Sequence, residues 1–202
     1  MTPETTPMYG DKALSLCLRL PGVRSVLDIG SGTGSHAEAL RKRFERVVTI
    51  DHSDHLGVPD IKADFNEYVF WDRFDLVWAC HVLEHQRNPG AFLSKIASVC
   101  QPGGHIAITV PPAKHEIVGG HVTLWNAGLL LYNLVLAGID CSQAQVFRYG
   151  YNISVIVQYN GPADLSGREL VIDAGDLEML QDLFPVPVSQ GFNGDFGEWC
   201  DD

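Results

Sequence analysis

The sequence predicts an α/β fold built on a doubly wound, mainly parallel sheet. Three observations lead there. Short apolar runs rich in Val, Ile and aromatics recur along the chain, segments with helical spacing separate them, and a glycine-rich turn joins the first run to the first helix. Ser25 to Gly30 (SVLDIG), Arg46 to Ile50 (RVVTI), Phe74 to Cys80 (FDLVWAC) and Gly104 to Val110 (GHIAITV) lack polar alternation and so read as parallel strands buried on both faces.

Helical spacing follows the first strand from Gly34 to Phe44 and the third from Asn88 to Cys100, where Phe92, Leu93 and Ile96 share a face. Asn88 is the expected cap, Pro89 suits the first helical position, and Pro102-Gly103-Gly104 stops the helix. Asp51 to Ala63 is too short for a crossover helix plus a strand, so a loop and a short strand near Asp60 to Ala63 are expected. A further helix is predicted over Thr123 to Ala137. Ala144 to Tyr149 and Asn152 to Tyr159, joined through Gly150-Tyr151, read as an antiparallel hairpin at the sheet edge. Asp176 to Phe184 places Leu177, Leu180, Leu183 and Phe184 on one helical stripe.

A length of 202 residues with 46% apolar and 19% charged residues fits one globular domain with an appendage, divided at 1–159 and 160–202. The longest apolar run, Leu129 to Ile139, has 11 residues, against roughly 20 for a bilayer crossing. The start MTPETTPMYGDK has neither a basic nor an apolar signal region, so a cytoplasmic address is expected. Five dispersed cysteines with no CxxC fit reduced thiols. Net charge is −11, but residues 160–202 hold ten of the 25 acids and one of the 14 bases, leaving a nearly neutral body. That body, with no recognition domain, argues against a nucleic-acid partner. The basic run Arg41-Lys42-Arg43 with Arg46 complements the dipole late in the first helix.

The turn after the first strand reads Asp28-Ile29-Gly30-Ser31-Gly32-Thr33-Gly34. Glycines let backbone approach an anion closely, and the N–H groups of the next helix favour negative charge. Asp51 ends the second strand, where a carboxylate can accept hydrogen bonds from ribose hydroxyls. A nucleoside ligand follows. Ser35 stands where GxGxxG needs Gly or Ala, which weakens an NAD reading, and no GxxxxGK[ST] occurs.

These pieces resemble class I S-adenosylmethionine-dependent methyltransferases over Tyr9 to Tyr159: VLDIGSGTG, VVTIDHS, IKADFNE, FDLVWACHVLEHQRNPGAFL and QPGGHIAITVPP, in family order. The resemblance implies a Rossmann-like sheet of seven strands with the antiparallel hairpin at its edge, and S-adenosylmethionine as cofactor. It implies that Asp28, Gly30, Ser31, Gly32 and Gly34 meet the methionine half, Asp51 the ribose, and Asp64 the adenine amino group. Ala79, Cys80 and His81 would line the same cleft, and His52 stands where many members place an apolar residue against adenine.

Methyl transfer to a hydroxyl is helped by a base. His85, His115 and His121 lie at the carboxyl edge, where such sheets bind ligands. The resemblance favours His121, with His85 as the second candidate catalytic residue, while His36, His52, His55, His105 and His115 read as surface or packing residues. His81 to His85 also spells HxxEH, but a zinc peptidase needs that motif on a helix, and here it leaves a strand. Some quinone and small-RNA methyltransferases resemble this stretch with ExxEH and bind a divalent cation there; His81 replaces the first acid, so no metal is assigned. Cys80 reads as a packed thiol.

The expected activity is methylation of a small-molecule acceptor, on oxygen, with a sugar or glycan precursor suggested by similarity around VLEHQRNP and GHVTLW. The alternatives are an RNA or other nucleic-acid methyltransferase and a non-catalytic cofactor-binding module; a homo-oligomer is left open. In the acidic extension, Phe192, Phe196 and Trp199 among glycines and acids suggest a lid over the acceptor, a partner contact or disorder, with disorder the default expectation for the last dozen residues.

Overall fold

A computed structural model describes residues 8–171, 173 and 175–196. Its strands are β1 (Ser25–Ile29), β2 (Arg46–Asp51), β3 (Ile61–Lys62), β4 (Phe74–Cys80), β5 (Cys100–Val110), β6 (Gln145–Tyr149) and β7 (Asn152–Tyr159). They form one sheet in the order β3-β2-β1-β4-β5-β7-β6. Strands β1 to β5 pair in parallel, and β7 runs antiparallel to both β5 and β6. The expected Rossmann-like sheet with its antiparallel edge hairpin is the one observed. The strand order reverses between β1 and β4, which opens a crevice at their carboxyl ends.

Helices α1 (Asp11–Cys17), α2 (Ser35–Arg41), α3 (Pro89–Val99) and α4 (Ala127–Leu136) cover both faces, which is why the strands are apolar on both sides. Leu76, Trp78 and Cys80 of β4 pack with Ala13, Leu14 and Cys17 of α1 and Leu40 of α2. Val77 and Ala79, pointing the other way, pack with Phe92, Leu93 and Ile96 of α3 and Leu130, Leu131 and Leu134 of α4.

Asn88 caps α3 as expected, its side chain accepting from Ala91 N at 3.1 Å. That helix ends at Val99, before Pro102, because β5 begins at Cys100 and pairs with Phe74 across a register shift. Helix α2 is shorter than its apolar pattern. Helix α4 starts at Ala127 instead of Thr123: the Asn126 side chain caps it from Leu129 N at 2.8 Å, while Val122 N and Thr123 N donate to the Glu84 carbonyl. Residues 52–60 form a loop without a helix.

The stripe at 176–184 breaks into a short helix, α5 (Asp176–Met179), and a 3₁₀ turn at Gln181–Leu183. Leu180, Leu183 and Phe184 nevertheless join the core beside α4. Leu180→Ala should therefore lower unfolding free energy in denaturant titration by about 2–5 kcal/mol, and Met179→Ala by less than about 0.5 kcal/mol. Equal small losses would mean that the extension is not part of the core.

Candidate functional site

The carboxyl edge of the sheet is built by backbone that turns sharply. Gly30, at φ 69°, follows β1 directly and donates its N–H to the Ile50 carbonyl at 2.8 Å. A Cβ there would collide with Val82 Cγ2, so only glycine lets the loop sit against the end of β4. The loop continues through Ser31, Gly32 and Gly34 into α2.

Asp28 lies beneath this loop, 1% exposed, and its Oδ2 has no hydrogen-bond partner among the described residues. Burial pushes its carboxyl up to about 7; the charge of Arg41 opposes the rise, and that of Asp51 adds to it. Asp51 closes β2 with Oδ2 accepting from Gly32 N and Oδ1 from Ser53 N, each at 3.0 Å. It thereby fixes the glycine loop to the end of β2. His52 Nδ1 is 3.3 Å from Asp51 Oδ1, with a largely exposed ring.

A cleft of about 820 Å³ opens beside these residues. Of the expected cofactor positions, Gly30, Asp51, His52 and Asp64 line it, and Ile50, Phe65 and Val82 supply an apolar wall. Asp64 Oδ1 accepts from Asn66 N and Nδ2, and Asn66 Nδ2 also donates to Gln86 Oε1, which joins the floor to the segment after β4. Ser31, Gly32 and Gly34 approach through backbone without lining the cleft.

Cys80 and His81 are not brought to its wall. Cys80 packs in the core on the α1 side, its thiol pushed up by burial and bonded to Thr109. His81, at φ 56°, is the one non-glycine residue with positive φ among those described. Its ring clusters with those of Tyr9 and Tyr151, and its Nε2 is 3.0 Å from Asn152 Oδ1, which also accepts from Gly10 N. Fixing these two residues against the amino-terminal segment and β7 is what takes them away from the cleft.

A second pocket, of about 300 Å³, lies in the loop between β5 and α4, walled by Pro112, Ile117, Leu124, Trp125 and Tyr151 with His121 on its lining. His85 lines the first cavity and His121 the second, with ring centroids 5.2 Å apart. The two candidate catalytic histidines thus stand where the cavities meet. His115 also lines the second pocket, exposed at its rim. The Gly120 carbonyl can only accept, so the 2.8 Å bond from His85 Nδ1 makes that nitrogen the donor and leaves Nε2 of a neutral ring as a lone pair.

Glu84 is the acid of the HxxEH stretch, to which the sequence analysis assigns no metal. It is fully buried, and neither of its oxygens has a hydrogen-bond partner among the described residues. His81 Nδ1 at 3.2 Å and His85 Nε2 at 3.8 Å from Oε1 are close enough to pair by charge but are not aligned as donors. Ligand atoms of Glu84, His85 and His121 all lie within 4.8 Å of one another, an N,N,O set that could hold a divalent cation. The spacing of Glu84 and His85 was visible in the sequence; the arrival of His121 from a loop 36 residues on was not.

The raised Asp28 carboxyl has a measurable sign. A folded-state value above the unfolded 3.8 means that stability present below that value is lost as pH rises toward about 7. Asp28→Asn should therefore gain stability over wild type in thermal melts, with the gap widening by at most about 1.4 kcal/mol per pH unit up to neutrality and then levelling. A gap independent of pH would contradict a buried, unpartnered carboxylate.

A family model described as a methyltransferase domain matches residues 8–145. The ubiquinone biosynthesis O-methyltransferase of Bradyrhizobium sp. (strain ORS 278) is 32% identical over 103 residues, 45% of this chain and 40% of that protein. The chain thus matches about two fifths of the length of this curated relative. The 1,6-didemethyltoxoflavin-N1-methyltransferase of Burkholderia thailandensis, solved with S-adenosylhomocysteine, superposes with a TM-score of 0.62 at 19% identity, covering 76% of this chain and 77% of that one. The N-methyltransferase NodS of Bradyrhizobium japonicum, also solved with S-adenosylhomocysteine, gives 0.60 at 16% identity over 74% and 86% of the two chains. Those likenesses concern the fold, while the family match spans most of the body described above: this chain belongs to the methyltransferase-domain family.

Proposed function

We propose that this chain transfers the methyl group of S-adenosylmethionine to a hydroxyl of a small, largely apolar molecule. The meeting of the two cavities at His85 and His121 carries this reading. Asp28, buried with an unpartnered oxygen, suits the ammonium of the methionine half; Asp51 suits the ribose and Asp64 the adenine amino group, with Ile50 and Phe65 flanking the base. The acceptor occupies the second pocket. Its oxygen attacks the methyl carbon in line with sulfur, the carbon–sulfur bond breaks, and the hydroxyl proton passes to His121.

The second pocket is mostly apolar, which supports a phenol-like hydroxyl ahead of the sugar or glycan precursor suggested by sequence similarity. The partial match to proteins named as ubiquinone biosynthesis O-methyltransferases agrees with oxygen as the attacked atom. A nucleic-acid acceptor has less support, because ten acids crowd residues 160–202.

A second reading of the same residues rests on the bare Glu84 oxygens: Glu84, His85 and His121 hold a divalent cation. Such an ion, when bound, supplies Lewis acidity toward the acceptor oxygen.

In a transfer assay with methyl-labelled cofactor, dihydroxybenzenes should be methylated in preference to nucleotide sugars, and His121→Ala should cut turnover by about tenfold or more with cofactor affinity unchanged. Unchanged turnover would remove His121 as the base. Exhaustive chelation separates the readings: retained activity excludes a required ion, and activity lost and restored by a divalent cation supports it.

A further inference from the structure

The family match ends at residue 145, the first residue of β6, and leaves out β7 and the extension. Gly194 lies in that unmatched part. It is buried at φ 76°, and a Cβ on it would collide with the backbone nitrogen of Gly128 and stand 2.5 Å from the carbonyl carbon of Ala127. A Cβ on Gly128 would in turn stand 2.7 Å from the Phe192 carbonyl oxygen. Two backbones are therefore pressed together at the first turn of α4, an approach open only to glycine on both sides. Asp195, next in the chain, reaches Arg148 of β6 at 3.6 Å. Phe192 and Phe196 meet edge to face at 5.6 Å, and Phe196 packs on the core beside α4.

The two elements touched by this segment each adjoin lining residues of the second pocket. Helix α4 is entered through Trp125 and the capping Asn126, and Trp125 accepts from Ala113 N at 2.7 Å, which closes the loop 111–126 on itself. Strand β6 ends at Tyr149, two residues before Tyr151, which lines the same pocket. The exposed ion pair contributes little by itself; the glycine contact sets the position. Neither Phe192 nor Phe196 lines the pocket, so the segment does not act there as a lid, and Trp199 lies outside the described residues.

We propose that residues 192–195 are a brace that fixes the start of α4, and with it Trp125 of the pocket lining, making Gly194 and Gly128 specificity-determining positions for the acceptor. This rests on the second pocket being the acceptor site. The residues that the brace touches, Ala127, Gly128 and Arg148, do not line the first cleft, so the brace leaves that cleft untouched.

Hydrogen exchange on the full chain with S-adenosylhomocysteine tests this without an acceptor. Gly194→Val should speed exchange across residues 111–126 by about tenfold or more, and across 25–34 by less than about twofold. With a dihydroxybenzene as acceptor, KM should rise about tenfold while cofactor affinity holds. Unchanged exchange across 111–126 would overturn the brace. A chain ending at Gln190 carries the same test should Gly194→Val fail to fold. If exchange responds but no hydroxyl compound is methylated, the brace stands and the acceptor reading fails.

Discussion

Asp28 holds a carboxylate at the centre of the sheet, level with Thr49 on one side and Trp78 on the other, where water does not reach. Burial there disfavours its charge, and Arg41 offsets only part of that cost. A group so placed persists when something supplies the missing partner. Around it, Gly30 brings backbone close and Asp51 holds the loop, while the amino terminus of α2, which favours negative charge, follows the same loop. On this account the fold stores a binding determinant for a cation at a cost to its own stability.

Glu84 repeats the arrangement one crossover away, at the end of β4. It too is buried and unpartnered, but it faces histidines instead of a glycine loop. The two carboxylates divide the labour of the site. On the proposed reading Asp28 serves the methionine half of the cofactor from beneath the glycine loop, and Glu84 stands beside His85 and His121. Because Val122 and Thr123 hang from the Glu84 carbonyl, the residue also sets where His121 arrives. One position thus couples backbone placement of the candidate base with the electrostatics around it.

The strands were legible because each is buried on both faces and therefore reads as an unbroken apolar run, as in FDLVWAC. The glycine loop and Asp51 were legible because their chemistry is local to one strand-turn-helix unit. What escaped was set by long-range contacts. Helix α1 is only seven residues and is held by packing against Trp78 and Cys80, which no local pattern announces. The start of α4 shifted because side chains of the preceding loop are spent on the segment after β4. Cys80 and His81 carried the expectation of facing the cleft, yet Tyr9, Gly10 and Asn152, remote in sequence, hold them elsewhere. The second pocket was the least legible, since its walls come from the loop after β5 and from a hairpin turn brought together only by the fold.

The claim most exposed to test is that the Asp28–Asp51 cleft is a site for S-adenosylmethionine. Calorimetric titration of wild type and Asp51→Ala, with S-adenosylmethionine and separately with NADH, addresses it directly. The account predicts micromolar binding of S-adenosylmethionine to wild type, its loss in the variant, and no binding of NADH. Binding of NADH, or S-adenosylmethionine affinity that ignores the loss of Asp51, would contradict it.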